Sequence, residues 1–521
     1  MAREKSTHVF ELVKRLTKTE KRYFKLSVSQ HERKGNERKF VQLFDILDKA
    51  TQYDESSILA QAPDISASQL PNLKAHLYAR ILQALRQYER NKLTDIEIRE
   101  MIDYVELLFN RGLYEQCVDI IKKAQKKAHK FESLELQLEL YRWEKNVLSM
   151  TLGKNNQNRV NNIVKGVEET NNRITNINRY TNLSVKLNSL YMKIGFVKNE
   201  TDLIAVRSLF ELEIPEKPNE DSLSFAEKVQ LYRLYVYYYT FIQEIDKAYY
   251  YADRWVTLLE DKGIERIPIL ELYIQGLNNL LSTLYKLGHY TAFETAQLKL
   301  KKLNTLSPTL RNDNIRMKLS KYTIVHEFNR LFMLGHFSVG VDRLNRIKHR
   351  IDDFINRLDK HSRIIMYYKI SCLYVGNSNY REAIHWLNHI INTQDVEIDM
   401  REDVHSFARI LSMICHYELG NKDVMEYYIR STYRQLLNKG NMYLMQKYIL
   451  QFLRKLQNVH TNDRLEKEFI SLKEKLEKLT EDPFEKRPFQ YFDIISWLES
   501  KINKESVQEV IQRKAAKQLV F

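Results

Sequence analysis

Chemistry needs side chains of the right type held within reach of one another, and few sets in this 521-residue chain have that spacing. His385 and His389 stand four apart, so on a helix they share one face and present two imidazoles to a single metal ion. No glutamate follows His385, so the metalloprotease pattern is missing and no metal is expected. Cys117, Cys372 and Cys415 form no CxxC pair and leave one thiol odd, which argues against both a disulfide framework and a zinc site. Cys372 and Cys415, 43 residues apart, are expected to fill buried slots for small apolar groups rather than to act as nucleophiles. Neither GxGxxG nor GxxxxGK[ST] occurs, and Gly153-Lys154 is followed by Asn155 without an upstream glycine. Carboxylate pairs are abundant on any helical surface, and none stands out as acid and base. The expectation is a protein with no catalytic, cofactor or metal site.

The sharper candidates are contacts to a macromolecule. Residues 1–39 carry 12 basic and 5 acidic side chains. A helix over 54–62, a short turn and a helix over 67–89 follow in the order of a helix-turn-helix, with Gln69, Asn72, Lys74 and His76 near the start of what would be the recognition helix. Residues 142–198 hold ten Lys or Arg against three Asp or Glu, a face suited to an acidic partner or a nucleic-acid backbone. The whole chain has a formal charge of +15, whose field draws in acidic proteins or nucleic acid.

The elements that must position these residues are helices. Glycine and proline number only 13 and 8, whereas sheet proteins and nucleotide-binding α/β folds need glycine wherever the backbone turns sharply or meets a phosphate. All-α is therefore the expected class. With 44% apolar residues the chain can bury a large core. The opening Met1 to Leu16 scatters charges among its apolar residues, and no stretch approaches 18 uncharged apolar residues, so neither export nor a membrane span is expected and a cytoplasmic location fits.

One frame recurs along the chain: an apolar helix, a Gly or Asn turn, then an aromatic residue opening a second helix. It is clearest at Phe109-Asn-Arg-Gly-Leu-Tyr114, Tyr285-Lys-Leu-Gly-His-Tyr290, Phe332-Met-Leu-Gly-His-Phe337 and Val375-Gly-Asn-Ser-Asn-Tyr380. Weaker copies centre on Gly153, Gly195, Glu244, Gly420 and Asn462, giving a mean interval of about 44 residues and an apolar residue three positions before each centre. Each unit reads as two antiparallel helices of roughly 15–20 residues, too small to bury an apolar face without a neighbour. Capping boxes are expected at Thr17 to Glu20 and Thr94 to Glu97, and Pro71 is tolerable in the first turn of its helix. The 32 tyrosines, with runs at 235–239 and 249–251, are expected mainly between helices, with some left as rigid anchors for a peptide.

The stretch Leu373-Tyr-Val-Gly-Asn-Ser-Asn-Tyr-Arg-Glu-Ala-Ile-His-Trp-Leu387 resembles the middle of a tetratricopeptide repeat, with Tyr380, Ala383 and Leu387 at that family's aromatic, small and large apolar positions. These units are about ten residues longer than the family's 34, nearer the length of HEAT-type pairs. The resemblance, over about 95–480, implies an α-solenoid of antiparallel helix pairs. The expected organisation is a basic helical segment over 1–93, a repeat array over 94–480, and a capping helix with a basic tail over 481–521. The function expected is a non-enzymatic scaffold whose groove holds a protein or peptide, an acidic one given the charge. The alternative is a nucleic-acid-binding regulator with an N-terminal helix-turn-helix and a sensing array.

Overall fold

A computed structural model describes residues 2–29, 36–90, 93–151, 157–194, 196–197, 199–214, 216, 218–264, 267–306, 312–392, 402–421, 427–434, 442–456 and 461–519. Among these residues every regular element is a helix and none is a strand. Contacts divide the chain into two compact units, Met1–Thr175 and Asn176–Phe521.

The first unit contains α1 (Ala2–Arg15), α2 (Lys18–Ser29), α3 (Asn36–Lys49), α4 (Glu55–Gln61), α5 (Leu70–Glu89), α6 (Thr94–Phe109), α7 (Tyr114–Phe131) and α8 (Leu134–Thr151). It also holds the first half of α9 (Gln157–Ile194). α5 packs on α1, α2 and α3 around a core that includes Val13, Phe24, Phe44, Leu77 and Ile81. The box at Thr17 forms: the Glu20 amide donates to the Thr17 hydroxyl at 3.3 Å, and the Thr17 amide donates to the Glu20 carboxylate at 2.7 Å. The box expected at Thr94 does not. Thr94 is already helical, and Glu97 instead pairs with Lys127 while Asp95 accepts from the Ser133 hydroxyl at 2.7 Å.

The second unit continues with α10 (Glu200–Glu213), α11 (Phe225–Phe241), α12 (Ile245–Lys262), α13 (Ile267–Leu287), α14 (Tyr290–Lys302), α15 (Asp313–Leu334), α16 (Phe337–Arg346) and α17 (Lys348–Asn356). After these come α18 (Lys360–Gly376), α19 (Tyr380–Ile391), α20 (Glu402–Glu418), a helical stretch over 427–434, α21 (Leu444–Leu456), α22 (Asn462–Leu479), α23 (Ile494–Asn503) and α24 (Val507–Leu519). Each helix packs on its successor through α11, α12, α13 and α14. The first helices of successive pairs also touch, α13 against α15, α15 against α18, and α18 against α20.

The turns inside the pairs share one backbone geometry. Gly112, Gln243, Gly288, Gly335, Ser378 and Gly420 all have φ between 57° and 74°. In each case the amide after that residue donates to a carbonyl five residues back, as in Leu113 to Leu108, Glu244 to Tyr239, His289 to Leu284 and Asn379 to Tyr374. This is the Schellman closure, in which a left-handed residue lets the chain satisfy the last carbonyls of a helix before reversing. From Gln243 onward the interval is 45, 47, 43 and 42 residues. The left-handed residue at the weakest of these centres is Gln243, one position before the expected Glu244.

Two expected turns, at Gly153 and Gly195, lie outside the described residues. Between them stands α9, one continuous helix of 38 residues where two helices were expected. Its single interior glycine, Gly166, serves close packing, because a Cβ there would collide with the ring of Tyr141 on α8. Met150, expected at a packed apolar position, is 56% exposed.

The stretch expected to cap the array packs through α23 on α22 and also reaches earlier helices. The Gln490 side-chain amide donates to Gln243 Oε1 at 3.3 Å, Tyr491 stacks on Phe407 with ring centroids 4.4 Å apart, and its hydroxyl donates to Asp403. Trp497 donates its indole N–H to Glu418 at 2.7 Å. α24 packs on α15, where Gln512 donates to the Gly335 carbonyl at 3.1 Å and Gln508 accepts from the Ser338 amide at 2.9 Å. Apolar side chains Phe489, Tyr491 and Phe492 supply the driving force, since they bury against the large core cluster of this unit.

Candidate functional site

Two clefts in the second unit gather polar side chains from several of its helices. The first, about 630 Å³, is lined by residues of α9, α11, α13, α15 and α18 together with Phe196, and by none from α12, α14 or α16. Gln275, Asn278, Asn279 and Ser282 project from α13, Lys318, Lys321 and Tyr322 from α15, and His361 and Ser362 from the first turn of α18. Arg233 and Tyr237 come from α11. The lining holds three cations and no carboxylate. Lys318 pairs with Glu271, while Lys321 donates to the Ser362 hydroxyl at 3.1 Å and stands 3.8 Å from Asp359. Arg233 donates to the Tyr237 hydroxyl at 3.3 Å and lies over that ring.

The second cleft, about 600 Å³, lies toward the C-terminal ends of the same helices. Tyr285, Phe332, Phe337 and Tyr368 form an aromatic wall, and Phe489 to Asp493 of the returning segment form the facing side. Ile365 borders both clefts. Along α18 the step from His361 to Lys369 is eight residues, about 12 Å of helix axis.

A row of buried polar groups runs between them. Lys369 donates to Asn329 Oδ1 at 2.6 Å, Asn329 donates to His326 Nδ1 at 3.2 Å, and His326 Nε2 donates to Asn278 Oδ1 at 3.1 Å. Burial, reinforced by the Lys369 charge, pulls the His326 imidazole down to about 3, so it is neutral and can accept at one nitrogen while donating at the other. Burial likewise pulls the Lys369 ammonium down to about 8; it sits 5.4 Å from the Phe332 ring centroid and 5.7 Å from that of Tyr285. Cys372, in the same cleft, has its thiol pushed up to about 12 by burial and stays protonated at neutral pH.

The four residues proposed to read DNA do not form a common surface. Gln69, Asn72 and His76 are exposed, but Lys74 is buried in the apolar stripe of Leu70, Leu77, Ile81 and Ala84. Its ammonium is bonded at 2.5 Å to Glu55 and at 2.6 Å to the Tyr53 hydroxyl, so it is committed to the fold rather than to a base edge. α4 ends at Gln61 and α5 begins at Leu70, leaving eight residues between them where a helix-turn-helix uses three or four. Asp54 caps α4 through the Ser56 and Ser57 amides, and Pro71 falls in the first turn of α5 as expected.

His385 and His389 are exposed, with ring centroids 5.2 Å apart, and His389 stacks on Tyr367. Among the described residues no group of three or more His, Cys, Asp or Glu side chains could hold a metal ion. No helix among them is long and apolar enough to cross a membrane. The tyrosine runs are mostly interior: Tyr235, Tyr238 and Tyr251 are buried, Tyr235 stacks on Tyr251 at 4.4 Å, and Tyr238 stacks on Phe210 at 3.9 Å. Tyr237 is the member of the run that faces a cleft. Compared with protein-family models, curated proteins and solved structures, the chain matches none.

Proposed function

We propose that the second unit is a superhelical array of antiparallel helix pairs, of tetratricopeptide-like kind, and that the protein is a non-enzymatic cytoplasmic scaffold holding a protein or peptide segment in its groove. One observation carries this reading. The cleft of Arg233, Lys318 and Lys321 takes its helical lining from first helices alone, the side of such a row where a groove lies, and gathers amides, hydroxyls and three cations there without a carboxylate. The recurring Schellman turns support the same reading, because they set successive pairs at a steady interval.

The test is capture from a random-octapeptide display library by the full chain, repeated with Asn278→Trp and Ser282→Trp, which fill the cleft lined by those residues. The expected result is enrichment of defined sequences by the native protein and their loss with either variant. Enrichment that both variants leave untouched, or none at all while the pure protein turns over a small molecule, refutes the reading.

A further inference from the structure

The groove reading leaves open what kind of segment is held, and the two clefts differ in ways that narrow it. The larger one offers Arg233, Lys318 and Lys321 with no carboxylate in its lining. Glu271 offsets Lys318, and Asp359 stands at 3.8 Å from Lys321 with a side chain 61% exposed. Arg233 has no carboxylate partner among the described residues, and its contacts are to Tyr237. A cation held against an aromatic ring with its remaining N–H groups facing a cleft is a site for an oxyanion, since a carboxylate accepts several such donors in one plane.

The second cleft is lined by Tyr285, Phe332 and Phe337, and its Lys286, Lys369 and Lys486 stand with Asp246 and Asp493. Its lining also includes a stretch of the chain itself, Phe489-Gln-Tyr-Phe-Asp493, which leaves a 3₁₀ helix over Arg487–Gln490 and meets Tyr368 of α18 and Phe407 of α20 through Tyr491. The fold therefore already accommodates an aromatic-rich segment without α-helix on these helices. On α15, which carries residues of both clefts, the step from Lys321 to Phe332 is eleven residues, about 16 Å of helix axis, the length of about five residues of extended chain.

We infer that the groove selects an extended peptide carrying an acidic side chain in the cleft of Arg233, Lys318 and Lys321, with an aromatic side chain about five residues away in the cleft of Tyr285, Phe332 and Phe337. The inference rests on the groove reading. The side-chain amide of Gln275 lines the same cleft, where it suits the peptide backbone, whose N–H and C=O groups need both donors and acceptors. The cleft without a carboxylate suits the acid, and the cleft that already carries Asp246 and Asp493 suits the uncharged aromatic residue.

The experiment reads the sequences enriched by the full chain and then measures them as labelled synthetic peptides by fluorescence anisotropy, beside a single-stranded oligonucleotide. Enriched peptides are expected to share Glu or Asp and an aromatic residue with about four positions between them. Replacing the acid by its amide should weaken binding by about tenfold or more and remove most of the salt dependence. Arg233→Gln with Lys321→Gln should weaken the acidic peptide by a similar factor while leaving its amide counterpart within about twofold. Should either protein variant fail to fold, the salt dependence of the native protein for acid against amide peptide decides alone. Enrichment of peptides lacking an acid, or equal affinity for acid and amide, overturns the inference and leaves the groove reading standing. Binding of the oligonucleotide with no peptide enriched overturns both.

Discussion

Gly288 and Gly335 close equivalent turns after α13 and α15, with φ of +69° and +63°. Their surroundings differ in one respect that alanine exposes. A Cβ at Gly288 would meet nothing within 4 Å, whereas at Gly335 it would stand 2.9 Å from the Gln508 carbonyl oxygen, 2.9 Å from the Gln512 amide nitrogen and 3.0 Å from Gln512 Cγ. Gly288→Ala should therefore cost only the left-handed penalty, roughly 1–2 kcal/mol. Gly335→Ala carries that penalty and also pushes α24 off its seat. The displacement loosens the Gln512 to Gly335 and Ser338 to Gln508 hydrogen bonds, about 1 kcal/mol each. The expected total is about 3–4 kcal/mol, so the two variants should differ by about 2 kcal/mol. Urea unfolding followed by tryptophan fluorescence measures the difference, and limited proteolysis between α23 and α24 reports the local release. Asparagine sharpens the contrast because it tolerates left-handed φ: Gly288→Asn should be nearly neutral and Gly335→Asn should remain destabilised. Equal losses at the two glycines, or no gain in cleavage near Lys504 for Gly335→Ala, would refute the account of how the returning segment is held.

The buried imidazole makes a pH prediction. With His326 held down to about 3 in the folded chain and near 6.5 when unfolded, only the unfolded chain takes up its proton between those values. Its contribution is whole above pH 6.5 and declines as pH falls, by up to about 1.4 kcal/mol per unit, until pH 3. His326→Gln should flatten that slope in urea midpoints taken from pH 7 to 4, and an unchanged slope would show that the imidazole is not kept neutral. Lys74→Met places an apolar chain in an apolar stripe and should shift stability by less than about 1 kcal/mol, whereas Glu55→Ala strips a carboxylate from the buried ammonium and should cost about 1–3 kcal/mol by chemical denaturation. Gly376→Ala drives a methyl into the Phe337 ring and should lose about 1–3 kcal/mol, part of which Phe337→Leu in the same chain should restore in a double-mutant cycle.

Local signals in the sequence were read well where a backbone rule acts alone. Gly112, Gly288, Gly335 and Gly420 mark left-handed turns because glycine carries no Cβ penalty, and Ser378 was found from its flanking Val375 and Tyr380. The slip to Glu244 arose where Gln243 adopts the same conformation without a glycine to announce it. Gly166 shows the converse, since a glycine inside a helix signals a close neighbour as readily as a turn. Lys74 shares a helical face with Leu70, Leu77, Ile81 and Ala84, so its burial and pairing follow from the apolar stripe. The candidate site was less visible. Its Asn278, Lys318, Lys321 and His361 sit as polar positions on helices otherwise packed on several sides, a signal available only once first helices are distinguished from second ones. The long-range contacts of 487–519 have no local mark, because partners such as Glu418 and Gln243 lie 79 and 247 residues away.

That return also sets an order of events during synthesis. Phe407, Asp403, Glu418 and the Gly335 turn emerge from the ribosome long before Tyr491, Trp497 and Gln512 exist to cover them. At about 5–20 residues per second the delay lasts several seconds or more, during which α15 and α20 stand with sticky flanks uncovered. A nascent chain stalled before residue 487 would therefore present chaperones and proteases with a surface that the finished protein hides, giving the cell a way to tell incomplete copies from complete ones.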